Sequence, residues 1–425
     1  MKTIAIIIFI ISIIGISADA QDFKKYFTKG SLRIDYIHTA NSENELISSD
    51  AIYHEPNWGG SQVNLIDTFD YGHYKFEVFD SASASMIYSR GYSSLCGEWR
   101  YTDEAKKLWR SFSESVIMPY PLQTVNVIFY KRLKDQSWEQ TSKMTVNPTD
   151  YMIIPQLKNP IKSFKIHDSG DASKKLDIVL LAEGYTQAEM QKFMNDAQRF
   201  KKYLLECAPF DAHSSDINIW AVPIVSEESG TDIPGTGVYK NTFFDSHFYT
   251  FGTERYINTV SNVAIRNAAA NVPYDQIYIL VNTAKYGGAG IYNYYSICTS
   301  DHLNSDFVFT HEFGHAFAGL GDEYYSSDVG VEDFYDLNSE PWEPNLTTLV
   351  QFDKKWKWML SPETEVPTTH NEANTEQLGV FEGAGYLAKR VYRPRYDCTM
   401  KSIKLNYFCP VCTKAIVDRL NFYTR

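Results

Sequence analysis

The chain has 425 residues, 44% apolar and 22% charged, with 23 Gly and 16 Pro, the composition of a folded protein rather than a disordered, collagen-like or low-complexity one. Its 40 Lys and Arg against 52 Asp and Glu leave a formal charge of −12, which argues against a nonspecific electrostatic hold on nucleic-acid phosphates or anionic lipid. Tyrosine is in excess, with 30 residues beside 25 Phe and 8 Trp.

At the N-terminus Lys2 precedes an apolar run over residues 4–16, followed by Ala18-Asp19-Ala20. A positive charge, an apolar stretch and a small-x-small site are the marks of a secretory signal, so residues 1–20 are expected to be cleaved. The mature chain is then exported, to the periplasm, the cell surface or beyond. The run is shorter than the ~18 residues of a membrane span, and no span is expected elsewhere.

Residues 21–150 have a period of two. Tyr74-Lys75-Phe76-Glu77-Val78 alternates, as do Val125, Val127 and Phe129 with their neighbours, and Asn57, Gly59 and Gly60 supply turns. This predicts an N-terminal β-sandwich, interrupted by a helical stretch over 102–113. His38, His54 and His73 lack ligand spacing and read as core or surface residues. Residues 151–175, with Pro155, Asn159-Pro160 and a polar run over 167–175, read as a linker.

From residue 176 to 425 the texture is α/β. A buried strand is predicted over 177–182, and the capping box Thr186-Gln187-Ala188-Glu189 opens a helix to about Leu205. A strand over 218–224, a helix over 253–270 and a strand over 276–282 follow. Such alternation argues for a mixed or mostly parallel sheet with helices packed on it.

The chemistry concentrates in Thr310-His311-Glu312-Phe313-Gly314-His315 and the chain after it. Two His four apart share one helix face and can hold one metal ion, with Glu312 beside them. A catalytic zinc takes three protein ligands, and Gly319 and Gly321 end the helix where a turn can return the third. Ten residues after His311, the spacing at which a further His would complete a metzincin, stands Gly321, which cannot ligate. The nearest capable side chains are Asp322, the favoured ligand, and Glu323, with a more distant residue as the remaining option.

Six cysteines are present. Cys96, Cys207 and Cys298 stand apart, while Cys398, Cys409 and Cys412 cluster. Cys409-Pro410-Val411-Cys412 lacks a second such pair or paired His, so a disulfide from Cys398 to either member is the preferred reading.

The motif from His311 to His315, continued by Gly319, Asp322, Glu323 and Tyr324, resembles the signature of the IgA-peptidase family of secreted bacterial zinc metallo-endopeptidases, with Ala318 where that pattern has Gly. Glu183-Gly184-Tyr185-Thr186, Glu228-Ser229-Gly230, Asn282 with Tyr286-Gly287-Gly288, Phe381 to Tyr386, Val391-Tyr392-Arg393-Pro394 and Cys409 to Cys412 resemble further blocks of that catalytic domain. The β-rich unit is similar to the domain that precedes it. The resemblance implies a metzincin-like α/β catalytic domain, a zinc ion held by His311, His315 and Asp322, and Met400 of Asp397-Cys398-Thr399-Met400 in a turn beneath it.

The mechanism expected is water-promoted peptide hydrolysis with Glu312 as general base, Tyr324 or Tyr325 as possible oxyanion donors, and protein or peptide substrates, immunoglobulin A among them. A monomer is expected. An extended peptide is expected along an edge strand, with residues 286–290 either allowing its approach or serving as a connector. Residues 332–343 read as a solvated acidic loop, with calcium binding as the lesser alternative. Tyr185, Tyr286, Tyr324, Tyr386 and Tyr392 are expected around the cleft, whereas Tyr292, Tyr294 and Tyr295 read as a half-buried face. The runner-up is a non-hydrolytic secreted protein that binds glycan or protein and retains a vestigial metal site; the intact Glu312 argues against it.

Overall fold

The computed structural model describes residues 22–156, 160–325, 334–403, 405 and 407–425. The expected signal peptide lies outside them. After one helical turn, α1 (Phe23–Tyr26), the period-two segments form two four-stranded sheets. One has the order β5 (Arg110–Pro121), β1 (Phe27–Ala40), β2 (Glu45–Glu55), β8 (Ile154–Pro155). The other runs β4 (Met86–Tyr92), β3 (Tyr74–Asp80), β6 (Val125–Arg132), β7 (Trp138–Val146). Leu32, Ile34 and Tyr36 from β1 meet Phe76, Val78, Val127 and Phe129 between the sheets, which makes the predicted sandwich.

The helix predicted over 102–113 is displaced. Helix α2 spans Leu95–Trp99, capped by the Ser94 hydroxyl, which accepts from Gly97 N at 3.2 Å. Residues 101–107 turn, and Arg110 already pairs with Ala40 in the sheet. Strand pairing with β1 overrides the local preference there.

The described residues of 151–175 are tied into both halves of the molecule. Strand β8 pairs with β2, and β9 (Phe164–His167) pairs antiparallel with β11 (Ile217–Val222). The second unit is a six-stranded sheet in the order β13 (Gly288–Ile291), β14 (Tyr295–Thr299), β12 (Gln276–Val281), β10 (Leu176–Glu183), β11, β9. Its four central strands are parallel and both edge strands antiparallel. Strands β10 and β12 are buried at every residue, as continuous apolar runs covered on both faces must be.

Helix α3 (Met190–Leu205) follows the Thr186–Glu189 capping box and packs against α5 (Ser305–Ala318). Helix α4 is shorter than expected, at Asn262–Ala269. The residues before it make isolated bridges instead, Asn258 with His247 and Tyr256 with Gly288. A hairpin of β15 (Phe381–Ala384) and β16 (Leu387–Arg393) and the C-terminal helix α6 (Pro410–Thr424) complete the unit. Among the described residues no helix is long and apolar enough to cross a membrane.

The two units share a core. Leu95, Cys96, Trp99 and Phe112 of the first belong to the apolar cluster of the second. On the outer face of β1, Arg33 pairs with Asp35 and Glu55 and donates to Asn267 Oδ1 of α4 at 2.7 Å.

Candidate metal centre and cleft

Helix α5 is apolar nearly all round and correspondingly buried. Phe309 stacks on Tyr278 of β12 at 4.2 Å and meets Phe200 of α3 at 5.0 Å. The helix ends at Gly319, whose φ of 64° is the left-handed conformation that favours glycine. Gly319 N donates to His315 O and Leu320 N to Gly314 O, and the chain turns back along the helix toward Asp322.

That reversal brings three side chains together. His311 Nε2 and His315 Nε2 are 3.1 Å apart, and Asp322 Oδ1 lies 3.2 and 3.3 Å from them. Each imidazole faces a carbonyl with its other nitrogen, His311 Nδ1 at 3.0 Å from Thr399 O and His315 Nδ1 at 2.5 Å from Leu320 O. Donation from both Nδ1 atoms leaves both Nε2 lone pairs facing Asp322 Oδ1, which accepts no hydrogen bond among the described residues. Three acceptors turned toward one another call for a cation. Zinc bonds of about 2.0–2.1 Å in a tetrahedron place ligands roughly 3.3 Å apart, which this triangle matches. Asp322 Oδ2 accepts from Tyr386 OH at 2.6 Å. Burial lowers the His315 pKa but the Asp322 charge outweighs it, taking it to about 9. A cation would take the place of that proton.

Glu323 points away from this triangle, toward Asn345 and Cys412, so of the two candidates Asp322 joins the imidazoles. The same turn explains why no ligand stands at Gly321. A Cβ there would lie 2.4 Å from Leu346 Cδ1. Met400 is fully buried beneath α5, and a Cβ on Gly314 would lie 2.9 Å from its sulfur. The spacing residue of the motif is therefore small because Met400 fills the space.

Glu312 lies beside the triangle at the edge of the sheet. Burial pushes its carboxyl pKa up, with the two His opposing. Strand β13 runs against it: a Cβ on Gly290 would lie 2.0 Å from Glu312 O, and one on Gly288 would lie 2.9 Å from Glu312 Oε1. The glycine run is thus an edge strand pressed onto the helix rather than a connector.

A cavity of about 410 Å³ opens over these groups. Of the expected tyrosines, Tyr286, Tyr324 and Tyr386 line it. Tyr185 is buried elsewhere with its hydroxyl on Asp196, and Tyr392 is a half-buried strand residue outside the lining. Tyr325 is 43% exposed and packs on Gly383, away from the cavity, so Tyr324 alone of the two remains an oxyanion candidate. Tyr292, Tyr294 and Tyr295 are buried rather than half-exposed, and Tyr292 lines the cavity. The described part of the acidic stretch is no solvated loop, since Glu340 and Glu343 are buried and Glu343 borders the cavity.

Sequence reasoning missed the contribution of the sandwich. His73 and Glu98 line the cavity, and Tyr256 OH donates a short bond to Glu98 Oε2. Other motif blocks turn out to be structural. Gly184, with φ 70°, abuts Gly230, whose N donates to Gly184 O, and Asn282 Nδ2 donates to Gly184 O and Ser229 Oγ. The turn between β15 and β16 serves the site directly. Gly385 N donates to Asp322 O and Tyr386 N to Tyr324 O, which aims the Tyr386 hydroxyl at Asp322. The expected disulfide is absent: Cys398, Cys409 and Cys412 are free thiols, with Cys398 and Cys412 sulfurs 3.9 Å apart.

An α/β unit whose buried helix carries His-Glu-x-x-His at the floor of a cleft has the build of a metallopeptidase. The family model described as IgA Peptidase M64 matches residues 164–377 and 369–420, and that of the peptidase M64 N-terminus matches 22–142. The chain belongs to the IgA peptidase M64 family and is a metallopeptidase acting on protein substrates. A comparison with curated proteins finds no significant match.

Proposed function

We propose that this protein is an exported zinc endopeptidase in which His311, His315 and Asp322 hold the metal and Glu312 is the general base. The observation that carries the reading is the triangle of Nε2, Nε2 and Oδ1 atoms 3.1–3.3 Å apart, with Glu312 beside it on the cavity wall. Zinc, when bound, supplies Lewis acidity that activates water and polarises the scissile carbonyl.

The chain's own residues do the rest. Glu312 takes the proton of the attacking water and returns it to the leaving amine. The Tyr324 hydroxyl, which burial keeps protonated, donates to the oxyanion that forms at the carbonyl. An extended peptide lies along β13, the edge strand of the sheet that packs on α5, and its backbone registers the scissile bond over Glu312. The aromatic walls of the cavity hold apolar side chains and exclude water.

Immunoglobulin A, in the name of the matching family, is the first substrate to test. Zinc-loaded protein incubated with immunoglobulin A and with a mixed protein library should give internal cuts mapped by mass spectrometry. A chelator should abolish them. Glu312→Ala should retain the metal and lose turnover by roughly 10²–10⁴-fold or more. Absence of any cleavage by the loaded wild type, or full activity in Glu312→Ala, would overturn the reading.

A further inference from the structure

Asp322 and Glu323 point in opposite directions. Behind Asp322, on the side away from the cavity, Glu323 meets Cys398, Cys409 and Cys412. All four side chains are fully buried, and their ligating atoms lie within 4.8 Å of one another. Cys412 Sγ is 3.9 Å from Cys398 Sγ and 3.2 Å from Glu323 Oε1. We propose that these four residues hold a second, structural zinc ion, distinct from the catalytic metal.

The donor set is that of a closed site. Zinc–sulfur bonds of about 2.3 Å in a tetrahedron put sulfurs roughly 3.8 Å apart, and a sulfur and an oxygen somewhat closer. The observed separations fit both edges. All four positions come from the protein and none faces the cavity, which is the arrangement of a structural rather than a catalytic zinc. Three soft sulfurs favour zinc over magnesium or calcium.

A second observation concerns the carboxylate. Glu323 Oε1 accepts from Asn345 Nδ2 at 2.9 Å, but Oε2 has no hydrogen-bond partner among the described residues although the residue is 0% exposed. An unsatisfied buried carboxylate is costly unless a cation meets it. A disulfide between any two of the cysteines would use two of the four groups and leave a thiol and this carboxylate unmatched in a dry pocket. A metal uses all four, and the three thiols release their protons to solvent as it binds.

The local fold prepares the sulfurs. Cys409 is the N-cap of α6 and Cys412 lies three residues on, so both face one side of its first turn. Cys409 N donates to Cys398 Sγ at 3.3 Å, which anchors that sulfur at the start of α6. The ion would pin the start of α6 to two segments that serve the catalytic centre. Glu323 adjoins Asp322. Cys398 precedes Thr399, whose carbonyl faces His311, and Met400, whose carbonyl accepts from Glu323 N at 2.8 Å.

The test counts metal and reads its ligands on the full-length protein. Elemental analysis should find two zinc ions per chain in the wild type and one in His315→Ala, in which the catalytic site is broken. With cobalt in place of zinc, wild type and His315→Ala should both show near-ultraviolet thiolate-to-cobalt absorption, which a His–His–Asp site cannot produce, and Cys412→Ser should lose it. If Cys412→Ser fails to fold, the cobalt spectra of the other two proteins decide. The proposal is overturned by one zinc in the wild type and none in His315→Ala, by a cobalt spectrum without thiolate bands, or by a disulfide joining any two of Cys398, Cys409 and Cys412 in unreduced protein. The wild-type count of two rests on the proposed catalytic zinc, whereas the zinc retained by His315→Ala and the thiolate–cobalt bands do not, so the two readings fail distinguishably.

Discussion

Tyr386 reaches the metal centre through Asp322. Its hydroxyl is 2.6 Å from Asp322 Oδ2, and its φ of 67° is one that a non-glycine residue seldom adopts. A hydrogen bond that orients a ligating carboxylate commonly contributes 10–100-fold in metal affinity. Tyr386→Phe should therefore weaken metal binding by about that factor in a chelator competition, with the Asp322 ligand retained; unchanged affinity would show that the bond orients nothing. His73, on the cavity wall, behaves differently. Burial, aided by the Arg132 and Arg100 charges, pushes its pKa from 6.5 down to about 3. The unfolded chain takes up a proton there below pH 6.5 while the folded chain resists until about 3, so stability falls as pH drops through that window. His73→Leu should flatten the decline of Tm below pH 6.5, and identical slopes in the two proteins would rule this out. The role of His73 was not legible in the sequence, because its partners Trp342 and Ser93 come from other segments.

At the scale of elements, the packing of β13 on α5 sets the cleft. Gly290 lets the edge strand touch the backbone of the motif helix at Glu312, and Gly288 makes room for the Glu312 and Val308 side chains. Gly290→Ala would push a methyl group against Glu312 O, and such overpacking typically costs about 1–3 kcal/mol. A lowered Tm together with reduced kcat is expected; wild-type values for both would mean that the strand has room to move. The glycines were visible in the sequence, but their reason was not. A pattern of glycines before a helix does not reveal whether a substrate, a turn or the helix itself makes the close approach.

At the scale of the whole molecule, the sandwich is part of the catalytic unit's packing. The alternation of Leu32, Arg33, Ile34, Asp35 and Tyr36 is that of a strand with one wet face, yet Arg33 and Asp35 are 0% exposed. Their face is covered by α4, and Tyr274 OH reaches Glu55 at 3.3 Å from the other unit. Buried charge of this kind is tolerated only when paired; here the charges pair within the sandwich, and hydrogen bonds to Asn267 and Tyr274 tie them to the other unit. Calorimetry should accordingly record one cooperative unfolding transition for the full chain; two separated transitions would show that the units fold independently.

The sequence by itself determined the alternation of strands that makes the sandwich, the buried runs of β10 and β12, and the spacing that sets His311, Glu312 and His315 on one helix. These follow from local periodicity, which survives in any context. Tertiary structure alone decided that Asp322 rather than Glu323 meets the imidazoles, that Tyr325 stays outside, and that His73 and Glu98 of the sandwich border the cleft. It also brought Glu323 to three cysteines that are at least 75 residues further along the chain. Such contacts depend on how a turn after Gly319 is directed and on which faces two units bury against each other, and neither quantity is written in a single segment.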